Sequence, residues 1–462
     1  MTFVTAIAIA AGVFFAGWDL LGAQGLKPQR QLTSQTLFDL VKLSFGVVAG
    51  AGALVALVVA YRRQRVDEDG ALRDATRLHT ERFTTAVSQL GEESAAVRLG
   101  GVHALAGLAD DAPTRDLRQT CIDVLCAYLR LPYEYVPEAG QPSDDVSARH
   151  AYMAMREVRH TTIRLIRDHL RLPPEHPHSW RGHDLDFTGA VFDGGDFSGA
   201  HFSGGTVDFS GAHFSGGNVD FSDAHFSGSI VDFNSAHFSG STIDFRLSRF
   251  SGGIVAFNYV MFTGGIVYFS DAHFSGGIVL FTGAEFSGGT VVFIGAHFSG
   301  TRFTGTHISG THISSGTVRF DQALFSGSTV LFTGAYFFGS IVDFKGAHFS
   351  GSTIDFNRAQ LSGGTVHFTD TNFSGGTVHF TDTNFSGSTI DFMAAHFSGS
   401  TVDFAGALFN AGIVDFAEMQ LSGGTVDFST ADGVKPSGLV PQDGQPPPTG
   451  LHLPPRWYRP TS

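Results

Sequence analysis

From Leu185 to about Phe428 the chain repeats one twelve-residue phrase, and no other feature limits its fold as much. A clean copy runs from Val207 to Asn218, and the next begins at Val219. Phe recurs at 209, 214, 221, 226, 233, 238, 245, 250, 257 and 262, in steps alternating five and seven. Of the 45 Phe residues, 39 lie in this region. A unit this short cannot bury its apolar side alone, so copies must stack on one another.

One copy divides into two five-residue units and an extra pair: VDFSG, AHFSG, GN. Val207 and Phe209, like Ala212 and Phe214, are two residues apart, and in extended chain such residues share a side. Val, Ala and Phe therefore point inward. Asp208, Ser210, His213 and Ser215 point outward, and Gly supplies the freedom to turn a corner.

About 40 such units between roughly 183 and 430 resemble the pentapeptide-repeat family. The resemblance implies a right-handed, four-sided β-solenoid. Undecorated five-residue steps occur at Phe187, Phe192, Phe197 and Phe202, and again at Phe298, Phe303, Ile308 and Ile313. Elsewhere two residues are added to every second unit, which reads as a bulged corner or a lengthened side. Four sides then take 24 residues, giving about ten coils and a rod roughly 50 Å long at a strand spacing of about 4.8 Å. A 12-residue coil is the alternative, and it leaves too little width for two Phe rings per turn. An irregular coil or bend is expected across His297–Ile313.

Residues 1–65 read as two transmembrane helices, at about 2–21 and 43–61, each long enough to span a bilayer. A short polar link makes the pair a hairpin, and Gly46, Gly50 and Gly52 suit close helix packing. Arg62, Arg63 and Arg65 follow the second span, whereas the link carries only Lys27 and Arg30. The positive-inside rule then places the soluble part in the cytoplasm, on the inner face of the plasma membrane. A cleaved signal peptide over 1–24 is the competing reading, but it lacks a basic first region.

Residues 66–180 carry helical periodicity. Val97, Val102, Leu105 and Leu108 form one stripe; Leu117, Cys121, Leu125 and Tyr128 form a second; Val158, Ile163, Ile166 and Leu170 form a third. Four or five helices are expected, one of them starting at Asp110-Asp111-Ala112-Pro113. Ala96–Leu105, Cys121–Pro132 and the run His178-Ser179-Trp180 before Asp184-Leu185-Asp186-Phe187 resemble the region preceding the solenoid in membrane-anchored pentapeptide-repeat proteins of actinobacteria. The tail, 431–462, holds eight of the 16 Pro and reads as disordered, with a fold-back of Trp457 onto the last coil as the other option. Cys121 and Cys126, the only cysteines, read as buried and reduced.

Asp184–Phe428 contains 21 acidic and six basic residues, a net charge of −15 against −14 for the whole chain. That excludes nonspecific nucleic-acid binding, which needs a basic surface. The outward columns make Asp208, Asp220, Asp232, Asp244, His213, His225 and His237 the candidate interaction surface, with Arg62, Arg63 and Arg65 flanking the membrane. Alternate Asp residues are expected to stack at about 5 Å and repel, as like charges that close do. The His column is expected to charge near pH 6 and offset them. Exposed imidazoles in a ladder lack the closed ligand set of a metal site, so neither metal nor cofactor is expected. Ser, His and Asp are too frequent here for any triad to carry meaning, and the Gly corners lack the strand–loop–helix setting of a phosphate loop.

These observations describe a non-enzymatic, membrane-tethered scaffold that presents an acidic solenoid to a protein partner. Homodimerisation through an uncovered solenoid end is a further expectation. Some members of the pentapeptide-repeat family mimic duplex DNA and bind type II topoisomerases such as gyrase, so the resemblance implies that activity as the alternative.

Overall fold

The computed structural model describes Ala11, Phe15, Ala16, Asp19 and residues 33–133, 146–228, 230–300, 302–304, 312–314, 316–439 and 447–457. The chain divides into two compact units, Met1–Ala75 and Thr76–Ser462.

Helix α1, Ser34–Leu90, contains the span read at 43–61, and its apolar stretch is fully exposed. Among the described residues it is the one helix long and apolar enough to cross a membrane. The first span, at 2–21, and with it the hairpin, falls almost wholly outside the described residues. α1 continues through Arg62, Arg63 and Arg65 without a break, so the boundary drawn at residue 65 is not an end of secondary structure.

In the second unit, the end of α1 is followed by α2 (Ala95–Asp110), α3 (Arg115–Arg130) and α4 (Val146–Arg171). The three apolar stripes form their core, with Val102, Leu105, Cys121, Leu125, Val158, Ile166 and Leu170 buried. Two stripe members differ: Val97 is exposed and Leu117 half-buried. The helix start read at Asp110 is corrected. Asp110 ends α2, and α3 begins at Arg115, capped by Thr114, whose hydroxyl accepts the Leu117 N–H at 3.3 Å. Thr114 takes the cap because its side chain reaches that orphan N–H, and Asp116 supplies the acid in the first turn. Both cysteines are free and buried, and burial pushes their thiols up to about 11 and about 12.

From Leu185 the chain forms short parallel strands in four columns. In one coil these are His201–Ser203, Thr206–Asp208, His213–Phe214 and Asn218–Asp220. Each pairs with its counterpart two phrases further on: His201 with His225, Val207 with Val231, His213 with His237, Val219 with Ile243. The coil therefore holds two copies of the phrase rather than one. The leading half of the first coil lacks the extra pair and is shorter by two, so that Leu185 pairs with Val207. One middle coil is longer by three: Glu285 pairs with His312, and His297 with Leu324. The addition lies between Thr304 and His312, outside the described residues, and the columns resume their register after it.

Each column carries a Phe ladder. Phe209 stacks on Phe233 at 4.8 Å between ring centroids, Phe214 on Phe238 at 4.7 Å and Phe221 on Phe245 at 4.8 Å. Near-parallel stacks of this kind add about 0.5–1.5 kcal/mol per pair beyond burial. The corners are β-turns such as Phe209–Ala212, closed by Ala212 N–H on the Phe209 carbonyl at 3.0 Å.

The extra pair behaves in both ways expected. In His348–Asp355 and Asn372–His379 one eight-residue strand runs through it; elsewhere it makes a short link. Gly and Ser alternate there between neighbouring coils: Ser340, Gly364, Ser388, Gly412. A Cβ on Gly364 would lie 2.8 Å from the Ser340 carbonyl oxygen, so the coil that follows Ser340 has no room for a side chain at that position.

Candidate interaction surface

The Asp column has a structural task that its spacing hides. Asp208 Oδ1 accepts the Ser210 N–H at 2.8 Å, Asp220 that of Ser222 at 2.8 Å, Asp232 that of Asn234 at 2.7 Å and Asp244 that of Arg246 at 2.9 Å. The same bond recurs through Asp343, Asp355, Asp391, Asp403, Asp415 and Asp427. Each Asp thus spends one oxygen on the N–H two residues ahead and fixes the corner, as Asp does in Asx-turns. Asp244 is also buried beneath Arg246, whose guanidinium meets both carboxylate oxygens.

The seven residues read as one surface lie on four columns. Asp208 pairs with Asp232, and Asp220 with Asp244, on separate columns. His213 and His237 share a third, with rings 4.7 Å apart; His225 stacks on His201 at 4.3 Å on the fourth. Going round the coil, His and Asp columns alternate, so Asp and His candidates are not brought together. The Asp stacks stop where Ala256 follows Asp232 and Tyr268 follows Asp244. Later, imidazoles separate the acids: His367 lies between Asp343 and Asp391, and His379 between Asp355 and Asp403.

Three of the imidazoles, His201, His225 and His237, are held below the ordinary histidine range. Burial, then Arg181 and His225, lowers His201 to about 4. His225 is lowered by burial and then Arg249; His237 by burial and then His213. His201, His225 and His237 therefore hold a proton less readily than a free imidazole, because a charged ring there would lose water and face another cation. Among the described residues, no group of three or more His, Cys, Asp or Glu side chains is placed to hold a metal ion. Arg62, Arg63 and Arg65 are exposed on α1.

Sequence reasoning missed the cap at the start of the rod, and at its end offered the Trp457 fold-back only as the second option. At the start, Asp193 stands where later coils carry Ser215 and Ser239, and it is buried. It accepts hydrogen bonds from Tyr133 at 2.6 Å, Tyr152 at 2.7 Å, Arg156 at 3.2 Å and His160 at 3.1 Å. Burial alone would raise this carboxyl; the His160, Tyr133 and Tyr152 hydrogen bonds outweigh it and hold the group well below the usual carboxylate range. Tyr152 is correspondingly pushed up to about 12, by burial first and then by Asp193. Arg159 lies over the Tyr133 ring, 4.3 Å from its centre, and Arg130 and Arg167 pair with Asp186 and Asp196. Gly194 and Gly195, at φ +123° and +149°, let α4 approach: a Cβ on Gly195 would lie 2.9 Å from Ile163. The sequence did hold a signal, since this copy reads Asp-Gly-Gly where its neighbours have Ser and Val.

At the other end, the tail read as disordered is ordered over 447–457. Leu451 and His452 add a parallel strand to Val426 and Asp427. Trp457 covers Phe409 and Phe428, at 5.9 and 5.7 Å, and donates Nε1–H to the Gly433 carbonyl at 3.3 Å. The last Phe rings would otherwise face water, and burying them outweighs the cost of ordering a Pro-rich segment, itself already restricted in φ. Both ends are covered within the chain, which removes the exposed Phe surface on which the end-to-end dimer was expected.

Residues 187–234 match the family model described as pentapeptide repeats (9 copies). No curated protein matches the chain. Two solved structures of trypsin-treated forms of QnrB1, described as a plasmid-mediated fluoroquinolone resistance protein, are similar to it. One is 17% identical over 39% of this chain and 90% of that one, with a TM-score of 0.18. The other is 16% identical over 39% and 92%, with a TM-score of 0.14. The columns that begin in the matched segment continue to Asp427, and the chain is a pentapeptide-repeat protein.

Proposed function

We propose that this protein is a non-enzymatic, membrane-tethered scaffold whose solenoid, a right-handed and four-sided coil, presents its surface to a protein partner in the cytoplasm. Residues 1–65 form the anchor, a hairpin of spans at about 2–21 and 43–61. The observation that carries the reading is α1: its apolar stretch is fully exposed and runs directly into Arg62, Arg63 and Arg65. Such a surface is costly in water and stable in lipid, with the cations held at the inner interface. Among the described residues the solenoid interior is filled by Phe ladders, which supports a role in binding over one in catalysis. Fractionation tests the anchor: the full chain should resist carbonate extraction, and release into the soluble fraction would sink the proposal. A reporter fused after Ser462 should be active only in the cytoplasm.

A second reading, a DNA mimic that binds a topoisomerase, is favoured by the net charge of −15 across Asp184–Phe428. The full chain in detergent micelles, added to a gyrase supercoiling assay at micromolar concentration, should then inhibit; unchanged supercoiling excludes it.

A further inference from the structure

The rod's charge is not uniform. Residues 184–245 hold nine acidic and no basic residues, a net of −9; residues 343–428 hold nine acidic and two basic, a net of −7. Between them, 246–342 hold three acidic and four basic, a net of +1. The corner Asp is replaced throughout this middle segment, by Ala256, Leu280 and Leu331 on one column and by Tyr268, Val292 and Arg319 on another.

The coil after the lengthened one departs most. Tyr336, Phe338 and Ile341 occupy outward positions that hold Gln360, Ser362 and Thr365 in the coil after. Phe338 is 68% exposed, and Tyr336 and Ile341 are exposed beside it. Together they show water on the order of 300 Å² of apolar side chain, the size of the largest patch on a typical monomer, which is often functional. No requirement of the coil explains them, since the coil after completes the same strands with Gln, Ser and Thr.

We infer that this patch is a lateral homodimer interface, on which a second copy of the chain lies with its own Phe338, Tyr336 and Ile341. A two-fold contact sets the patch on itself, which suits an apolar surface carrying no charge of its own. The neutral belt is also the one stretch of the rod where another strongly acidic rod can approach closely. Side-by-side alignment, parallel or antiparallel, would bring acidic ends together, so the rods cross at the belt and the ends point apart. This contact differs from end-to-end association, because both ends are covered.

The test is the mass of the full chain in detergent by light scattering, against the variant Tyr336→Gln/Phe338→Ser/Ile341→Thr. That variant copies the adjacent coil and so preserves the fold, which circular dichroism verifies. The native chain should have twice the monomer mass, with dissociation at least 10-fold easier in the variant. A monomeric native chain, as expected if a different protein covers the patch, overturns the inference; so does a dimer that the variant leaves unchanged. A Phe338→Cys chain, whose native cysteines are buried, should cross-link to itself under oxidation, and failure to do so while the dimer persists overturns it equally.

Discussion

Gly376 and Gly334 both sit at positive φ, +90° and +68°, yet they are not equivalent. A Cβ on Gly376 would fall on the Ser352 carbonyl oxygen of the coil below, whereas one on Gly334 meets nothing within 4 Å. Gly334→Ala should therefore cost about 1 kcal/mol, the backbone penalty alone. Gly376→Ala adds a clash that the strand must shift to relieve. Chemical denaturation should show its loss to be larger by about 2 kcal/mol, as at other overpacked sites. Equal losses would mean that the Ser/Gly alternation has no packing role. The imidazoles set the pH response at the same scale. His183 and His201 are each lowered to about 4, by burial first, against an ordinary value of about 6.5. Between those values the unfolded chain takes up protons that the folded chain refuses, so stability is present above about pH 6.5 and falls as pH drops toward 4. The thermal midpoint should decline across that window, and His201→Gln should flatten the decline.

Helix α4 and the C-terminal strap close the two ends of the rod by different means. On α4, Tyr152, Arg156, His160, Ile163, Arg167 and Arg171 recur at steps of three and four, so one face meets the first coil, with Arg171 donating to the Ser198 carbonyl at 2.7 Å. Asp193→Asn keeps the shape but leaves four donors around a neutral acceptor. It should destabilise the helical cap by about 3 kcal/mol, as when one partner of a buried ionic group is removed. Hydrogen exchange should localise the loss to α4 and the first coil, and an even loss along the rod would contradict the assignment. The strap rests on Trp457. Trp457→Ala should expose Phe409 and Phe428 and cost about 3–5 kcal/mol locally, seen as faster proteolysis after residue 428. An unchanged cleavage pattern would show that the strap does not protect the end.

The whole rod behaves as a one-dimensional stack, because nearly every strand pairs only with its counterparts one coil away. Excising residues 368–391 joins His367 to Phe392 and removes one complete coil while keeping every column in register. The shortened chain should fold cooperatively, with a denaturant slope lower by about one tenth, since slope follows the surface exposed on unfolding. Failure to fold would show that the coils are not interchangeable. The same arrangement makes charge a property of position along the rod: losing Asp for four coils creates a neutral belt between acidic ends, and that distribution decides where a like molecule can approach.

The sequence by itself determined the period, the inward Val, Ala and Phe, the buried cysteines and the helical stripes. A residue two positions from its neighbour in extended chain has only one side to occupy, and a repeated phrase forces a repeated burial. Tertiary structure alone decided the coil length, since a coil of one phrase and a coil of two share one pattern until strands are paired. It also separated the seven candidate Asp and His residues onto four columns and gave the Asp side chains their corner hydrogen bonds. The contacts that make the end caps were hidden for the same reason. Asp193 and Trp457 are single departures from a pattern, and their partners, Tyr133 and Phe428 among them, lie 60 and 29 positions away in the chain. Periodicity reports what every coil shares; contacts made once, between distant segments, exist only after the chain has folded.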